Sequence, residues 1–216
     1  MKVALISDTH NLLRPEVLAA LKGVDAILHG GDISSQSVLD HLQAIAHLYA
    51  VRGNADKEWA EHLPFFLDFK LNGLRIYITH KKKDLPMNLD PYDLVMVGHS
   101  HAYSEILLGK TRIVNPGSCG PRRFHQPITM AIAEITGSSV EITRIDIAHP
   151  ISSPKIDPNN IAEQIEVVLK EFNRGHSLKM IEEKYGIDPV LAEQIIRLYV
   201  THPGVTVEGI MTKMGL

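Results

Sequence analysis

Seven side chains able to bind a metal stand at the ends of apolar runs: Asp8 and His10 after residues 3–6, Asp32 after 24–28, Asn54 after 48–51, His80 after 74–79, and His99 and His101 after 94–97. In α/β sheets ligands gather outside the carboxyl ends of strands, so five such ends can bring their side chains to one place. Alternate residues of an extended chain point to the same side, which lets Asp8 act with His10, and His99 with His101. Each motif also has an ordinary use alone: Asp-x-His and Gly-Gly-Asp as turns or caps, Asn54 as a left-handed turn residue. His-x-His is the most specific of them, because packing seldom calls for two adjacent imidazoles and a transition metal does. Imidazole, carboxylate and one amide oxygen, with no thiolate, suit manganese, iron or zinc better than calcium or magnesium. Seven donors exceed the needs of one tetrahedral ion, so two metals sharing a carboxylate is the natural count, with Asp32 as the bridge.

These residues need a scaffold of strands. The continuous aliphatic runs 3–6, 24–28 and 48–51 are the pattern of strands buried on both faces. Helical spacing at 14–22, with Pro15 near its start and Gly23 past its end, and a second helix capped by Ser34 or Ser35 and running to about residue 44, alternate with them. This alternation predicts parallel pairing in an α/β layered domain. Further on, antiparallel pairing is expected: a hairpin of 66–71 and 74–79 about Asn72-Gly73, then hairpins of 105–108 with 112–114 and of 128–135 with 140–147. Residues 149–157, rich in proline and serine, read as a linker. The remainder, 158–216, reads as a small all-α domain with helices at 159–173, 177–185, 189–200 and 207–214.

With 216 residues, 44% of them hydrophobic and 22% charged, the chain can bury a core without disulfide or metal staples, which leaves any metal to chemistry. The single cysteine, Cys119, cannot pair within the chain, and the N-terminal apolar run is cut short by Ser7 and Asp8; both point to a cytoplasmic protein with no membrane partner. A formal net charge of −3 gives no case for a polyanion as partner. In the tail, six basic against eight acidic residues oppose DNA reading by the helix-turn-helix-like segment 177–198, and leave a dimerisation or docking domain, or a lid over the substrate cleft.

Asp-x-His, Gly-Asp, Gly-Asn-x-Asp, a lone His and Gly-His-x-His, in this order, resemble the calcineurin-like metallophosphoesterases, specifically the YfcE-like bacterial phosphodiesterase branch. The resemblance spans residues 1 to about 148 and includes Asn115-Pro116-Gly117-Ser118, but not the helical tail. It implies two packed mixed β-sheets flanked by helices, an αββα sandwich. It also implies a dinuclear centre in which Asp8, His10 and His101 hold one ion, Asn54, His80 and His99 the other, and Asp32 bridges both. Through that centre Asp8, Asp32 and Asn54 take part in catalysis, as a hydroxide shared by the ions attacks phosphorus in line. The implied cofactors are two divalent ions, manganese first, with iron, zinc, nickel or cobalt as alternatives.

The substrate implied is a small-molecule or nucleotide phosphoester, most simply a diester. The wider superfamily often carries a histidine directly after the asparagine to assist the leaving group, and here that position is Ala55. Lys81, where the branch usually has glycine, with Arg52, Arg122 and Arg123, are candidates for the substrate's phosphates. Cys119 is expected to fill space and Asp56 to serve as a turn or helix-start residue. Two other readings remain: a phosphomonoesterase, and a non-catalytic scaffold such as the vacuolar-sorting retromer subunit of this fold. A homo-oligomer through 158–216 is a further expectation.

Overall fold

Along β1 (Lys2–Ile6) the side chains alternate between two cores. Val3 and Leu5 pack with Ile76, Ile78, Leu94 and Met96, while Ala4 and Ile6 pack with Val17, Leu39 and Leu42. A strand buried on both faces must be an inner strand, and each Leu or Ile so buried contributes about 1.5–3 kcal/mol. In this computed structural model, which describes residues 1–122, 126–148, 156 and 160–216, β1 lies at the centre of a five-stranded sheet.

The first sheet has the order β10-β9-β1-β2-β3, with β2 at Ala26–His29, β3 at His47–Ala50, β9 at Thr129–Thr136 and β10 at Ser139–Asp146. β1, β2 and β3 run parallel, as the strand–helix alternation predicts, and β9 and β10 close the sheet antiparallel. The helices α1 (Pro15–Ala20) and α2 (Gln36–Gln43) cover its outer face through Val17, Val38 and Leu39. Pro15 begins α1 as expected. Ser35 occupies the N-cap of α2 but does not cap it; its hydroxyl instead donates to the Asn11 side chain in the loop after β1.

The second sheet has the order β4-β5-β6-β8-β7, made of Phe66–Leu71, Leu74–Thr79, Leu94–Met96, Thr111–Pro116 and Tyr103–Leu108 in that spatial order. Its edges are the predicted hairpins, but its centre departs from the antiparallel expectation: β5 with β6, and β6 with β8, are parallel. The long connection 80–93 allows this, since a parallel neighbour needs a crossover that a tight turn cannot provide. That same connection covers the sheet's outer face, where Leu85 and Leu89 pack on Tyr77, Tyr92, Val95 and Ile113. Each sheet therefore has a parallel centre, and a parallel centre delivers its strand ends to one edge.

Two compact units divide the chain, Met1–Ala148 and His149–Leu216. The second consists of α3 (Ile161–Asn173), α4 (Leu178–Tyr185), α5 (Pro189–Thr201) and α6 (Val207–Met214). Ile161, Ile165, Val168 and Phe172 form one buried stripe along α3, and Leu191, Ile195 and Leu198 another along α5. Of the expected linker 149–157, all but residue 156 lies outside the described residues. Among the described residues, no helix is long and apolar enough to cross a membrane.

Candidate metal centre

The loop after β1 is laced to the loop after β2 by three backbone bonds, from Asp8 N to Gly31 O (3.0 Å), His10 N to Asp32 O (2.9 Å) and Asn11 N to Ile33 O (2.8 Å). His99 N donates to Asp8 Oδ2 (3.1 Å), joining the loop after β6 to the same carboxylate. The strand ends thus meet as one structure, and the predicted donors meet with them. Asp8, His10 and His101 each offer a ligand atom, all within 4.8 Å of one another; Asp32, His80 and His99 form a second such group. Asn54 Oδ1 joins the second group at 3.2 Å from His80 Nε2.

Asp32 stands between the two. Its Oδ2 lies 3.7 Å from His10 Nε2 and its Oδ1 3.4 Å from His80 Nε2, so each oxygen faces a different group. The Ala55 N–H fixes this orientation by donating to Oδ1 at 2.7 Å. Such close approach requires glycine at position 53, where a Cβ would fall 2.2 Å from both Asp32 N and Asp32 Oδ1.

The backbone is strained where the donors sit. Asp8, His10, Asp32, His99 and His101 have φ of 56°, 43°, 56°, 71° and 58°. A non-glycine residue held in the left-handed region costs on the order of 1–3 kcal/mol and persists only where surrounding structure dictates it. Sequence patterns do not reveal this, because tertiary hydrogen bonds impose it.

The electrostatics favour charged carboxylates. Burial would raise the Asp8 carboxyl, but the adjacent His101 imidazole, with the charges of His10 and His80, holds it below the ordinary carboxylate range. Asp32 behaves likewise: burial opposes ionisation, and the bond and charge of His80, with His10 and the Ala55 amide, outweigh it. For His80, burial works against protonation, but Asp32 and Asp8 raise it overall. His80 Nδ1 donates to Gly30 O at 2.8 Å, which leaves Nε2 to face Asp32 and Asn54. His99 is lowered by burial and then by the charges of His80 and Lys81.

The donor set fits a metal on its own geometry. Asp8 Oδ1 is buried and accepts no hydrogen bond among the described residues, while His101 Nε2 lies 3.2 Å and His10 Nε2 3.9 Å away. A buried carboxylate oxygen without a donor is costly, and a cation supplies what the protein does not.

Several further residues support the donors, in roles that the sequence does not reveal. His29 is fully buried, accepts from Gly31 N at Nδ1 (3.1 Å) and lies 3.1 Å from Thr9 Oγ1 at Nε2. Burial lowers its pKa to about 3, so it braces two donor loops as a neutral group. Asp56, expected as a turn or helix-start residue, is a buried clamp instead. Its Oδ1 accepts from Ile33 N (2.8 Å) and Ser34 N (2.7 Å), and its Oδ2 from Gly53 N (2.8 Å). Burial raises its pKa even so. Asn115 donates to Gly98 O (2.8 Å) and Ser100 Oγ (2.9 Å), and Ser118 to Asp8 O (2.9 Å), so the Asn-Pro-Gly-Ser loop props the site. For His29 and Asp56 the available signal was adjacency to the donor motifs; for Asn115 and Ser118 it was the Asn-Pro-Gly-Ser motif itself.

The substrate candidates divide. Arg52 and Lys81 line a cavity of about 300 Å³ beside Asn54 and His80. Arg122 is half-buried and is not among the residues lining that cavity, and Arg123 lies outside the described residues. Cys119 is fully buried with its thiol donating to Ser7 O (3.6 Å), and burial pushes its pKa up to about 12.

A two-sheet sandwich with carboxylate and histidine donors at the ends of its parallel strands is a metallophosphoesterase architecture. Residues 1–138 match the family model of the calcineurin-like phosphoesterase superfamily domain, and the chain belongs to that superfamily. It is 27% identical over 141 residues to a phosphodiesterase of Methanocaldococcus jannaschii, covering 55% of this chain and 84% of that protein. Among solved structures, a phosphoesterase of E. coli, YfcE, overlays with a TM-score of 0.53 at 23% identity over 68% of this chain and 100% of the other. The Chaetomium thermophilum Vps29 structure overlays with a TM-score of 0.56 at 18% identity over 68% and 97%. At these identities the two structural likenesses establish the fold.

Proposed function

We propose that this chain is a dinuclear-metal-dependent phosphodiesterase acting on a small-molecule or nucleotide phosphoester. The observation that carries the proposal is Asp32, with one oxygen turned to each donor group. In this reading Asp8, His10 and His101 hold one ion, Asn54, His80 and His99 the second, and Asp32 is shared. Two divalent ions, manganese by preference, supply Lewis acidity and bring the pKa of a water molecule toward neutrality. The chain's own groups then position and exclude: the Gly30 carbonyl fixes the His80 tautomer, the Ala55 amide orients Asp32, and Ser7 Oγ donates to Asp8 Oδ2 at 2.6 Å. The neutral amide of Asn54 adds no negative charge to the second ion, which keeps it a stronger acid than a carboxylate there would.

Ala55 provides no proton to a leaving oxygen. General acid assistance is worth about a hundredfold or more, so its absence favours diesters with good leaving groups. The name of the Methanocaldococcus jannaschii relative is in keeping with a diesterase. The helical unit, with more acidic than basic residues, is assigned to docking or self-association rather than to DNA.

The test is hydrolysis of bis-p-nitrophenyl phosphate with added manganese, with metal content measured on the same samples. Asp32→Asn is expected to lower kcat/KM by about a thousandfold and to reduce bound metal, since a shared ligand acts on both ions. Wild-type activity no higher than that of Asp32→Asn overturns the proposal. Metal-free protein with no turnover supports the scaffold reading that the Vps29 fold suggests. A p-nitrophenyl phosphate rate above the diester rate shifts the assignment to a monoesterase.

A further inference from the structure

Beside the second donor group the chain exposes two adjacent phenylalanines, Phe65 at 68% and Phe66 at 55%. Burying such a ring is favourable, and these two stay largely out. Both line the 300 Å³ cavity onto which Asn54 and His80 open. That volume is at the small end of ligand sites and suits one ring system with its sugar.

Phe65 is held in place. The Arg52 guanidinium lies 5.6 Å from its ring centroid, and Arg52 is itself fixed by donating to Asp56 O (3.0 Å) and Lys57 O (2.9 Å). The adjoining backbone is pinned by Arg52 N donating to Pro64 O (2.8 Å) and Thr79 Oγ1 donating to Phe65 O (3.3 Å). Phe66 stacks on Tyr77 at 5.6 Å with an interplanar angle of 15°. An exposed ring on a fixed mount is a stacking platform, and stacking works best when nothing must be ordered on binding. The cavity is also basic in an acidic chain: Arg52, Lys81 and Lys83 line it against Asp84 alone, while the whole sequence carries −3.

We infer that this cavity is a nucleoside subsite: a nucleobase stacks on Phe65 while the attached phosphate lies toward Asn54 and His80, with Lys81 and Lys83 facing the substrate's negative charge. The placement of the phosphate rests on the phosphodiesterase reading above; the stacking platform does not.

Calorimetric titration of manganese-loaded protein with AMP, ribose 5-phosphate and adenosine tests this. The wild-type protein is expected to bind AMP about tenfold or more tightly than ribose 5-phosphate, the base supplying the difference. Phe65→Ala is expected to reduce that ratio to below about threefold, and Phe65→Trp to restore it, since a larger ring keeps the platform. Equal affinity for AMP and ribose 5-phosphate in the wild type, or an unchanged ratio in Phe65→Ala, overturns the inference. Adenosine separates the two readings. If bis-p-nitrophenyl phosphate is not hydrolysed but adenosine binding is lost in Phe65→Ala, the nucleoside site stands and the hydrolytic reading falls; if hydrolysis proceeds and the base contributes nothing, the reverse holds.

Discussion

In the helical unit, every described residue with positive φ is a glycine: Gly175, Gly186, Gly204 and Gly215. The caps of α4, α5 and α6 follow local rule as well, with Ser177, Asp188 and Thr206 accepting from Met180 N, Val190 N and Gly209 N, and Gly186 and Gly215 ending α4 and α6 in the left-handed conformation. The sheet unit is different. Eight described non-glycine residues there have positive φ, and five of them are proposed metal donors. Its buried polar groups also concentrate at one edge, where Asp8, His10, His29, Asp32, Asp56, His80 and His101 are all nearly inaccessible. A sequence optimised only for stability keeps local propensity and tertiary structure in agreement, and departures from that agreement gather where function is served. The contrast locates the working part of the molecule without reference to any relative.

This contrast can be broken by substitution. Among substitutions that leave the donors themselves in place, Gly53→Ala has the largest expected effect, because its methyl group has no room beside Asp32. Displacing that carboxylate by an ångström is expected to cost about a hundredfold in kcat/KM for bis-p-nitrophenyl phosphate. A rate within threefold of wild type would show that the 2.2 Å approach is not needed.

A second effect is on stability against pH. His29, with its pKa lowered to about 3 by burial, stays neutral in the folded protein while the unfolded chain protonates it near 6.5. Below about 6.5 the unfolded state therefore binds more protons, so stability falls as pH falls toward 3, at up to about 1.4 kcal/mol per pH unit. Urea unfolding of chelator-treated protein between about pH 7 and 4 measures this slope, and His29→Gln should flatten it relative to wild type. Identical slopes in the two proteins would mean that His29 is not held neutral.

The smallest effect sharpens the comparison from the other side. Ser177→Ala removes an N-cap from α4 and is expected to cost about 1 kcal/mol in the helical unit, with diester turnover unchanged. A loss of turnover as large as that in Gly53→Ala would mean that the helical unit takes part in the chemistry.

What could be read in the sequence follows the same division. The strand ends were legible because a strand buried on both faces leaves an uninterrupted apolar run, and Asp8, Asp32, Asn54, His80 and His99 each interrupt one. The helical unit was legible from its period and its glycines. The parallel pairing of β5 with β6 was not, since the crossover 80–93 carries no helical pattern and its role appears only when Leu85 and Leu89 pack on the sheet. Ser35 failed as a cap for a related reason: its hydroxyl had a partner in Asn11, 24 residues away. His29 and Asp56 take their roles from partners in other loops, the Thr9 hydroxyl for one and the Ile33 and Ser34 amides for the other, which no local pattern encodes.

Each donor group draws on both sheets. Asp8 and His10 follow β1 and His101 follows β6, 91 residues beyond His10; Asp32 follows β2 while His80 and His99 follow β5 and β6. Neither sheet alone holds a complete set. An ion consequently has little hold on a partly folded chain in which the sheets have not yet docked, and its binding energy accrues only after the longest loops have closed. The energetic benefit of the ion thus falls on the unfolding side of the barrier, where it extends the lifetime of the native state without hastening its formation.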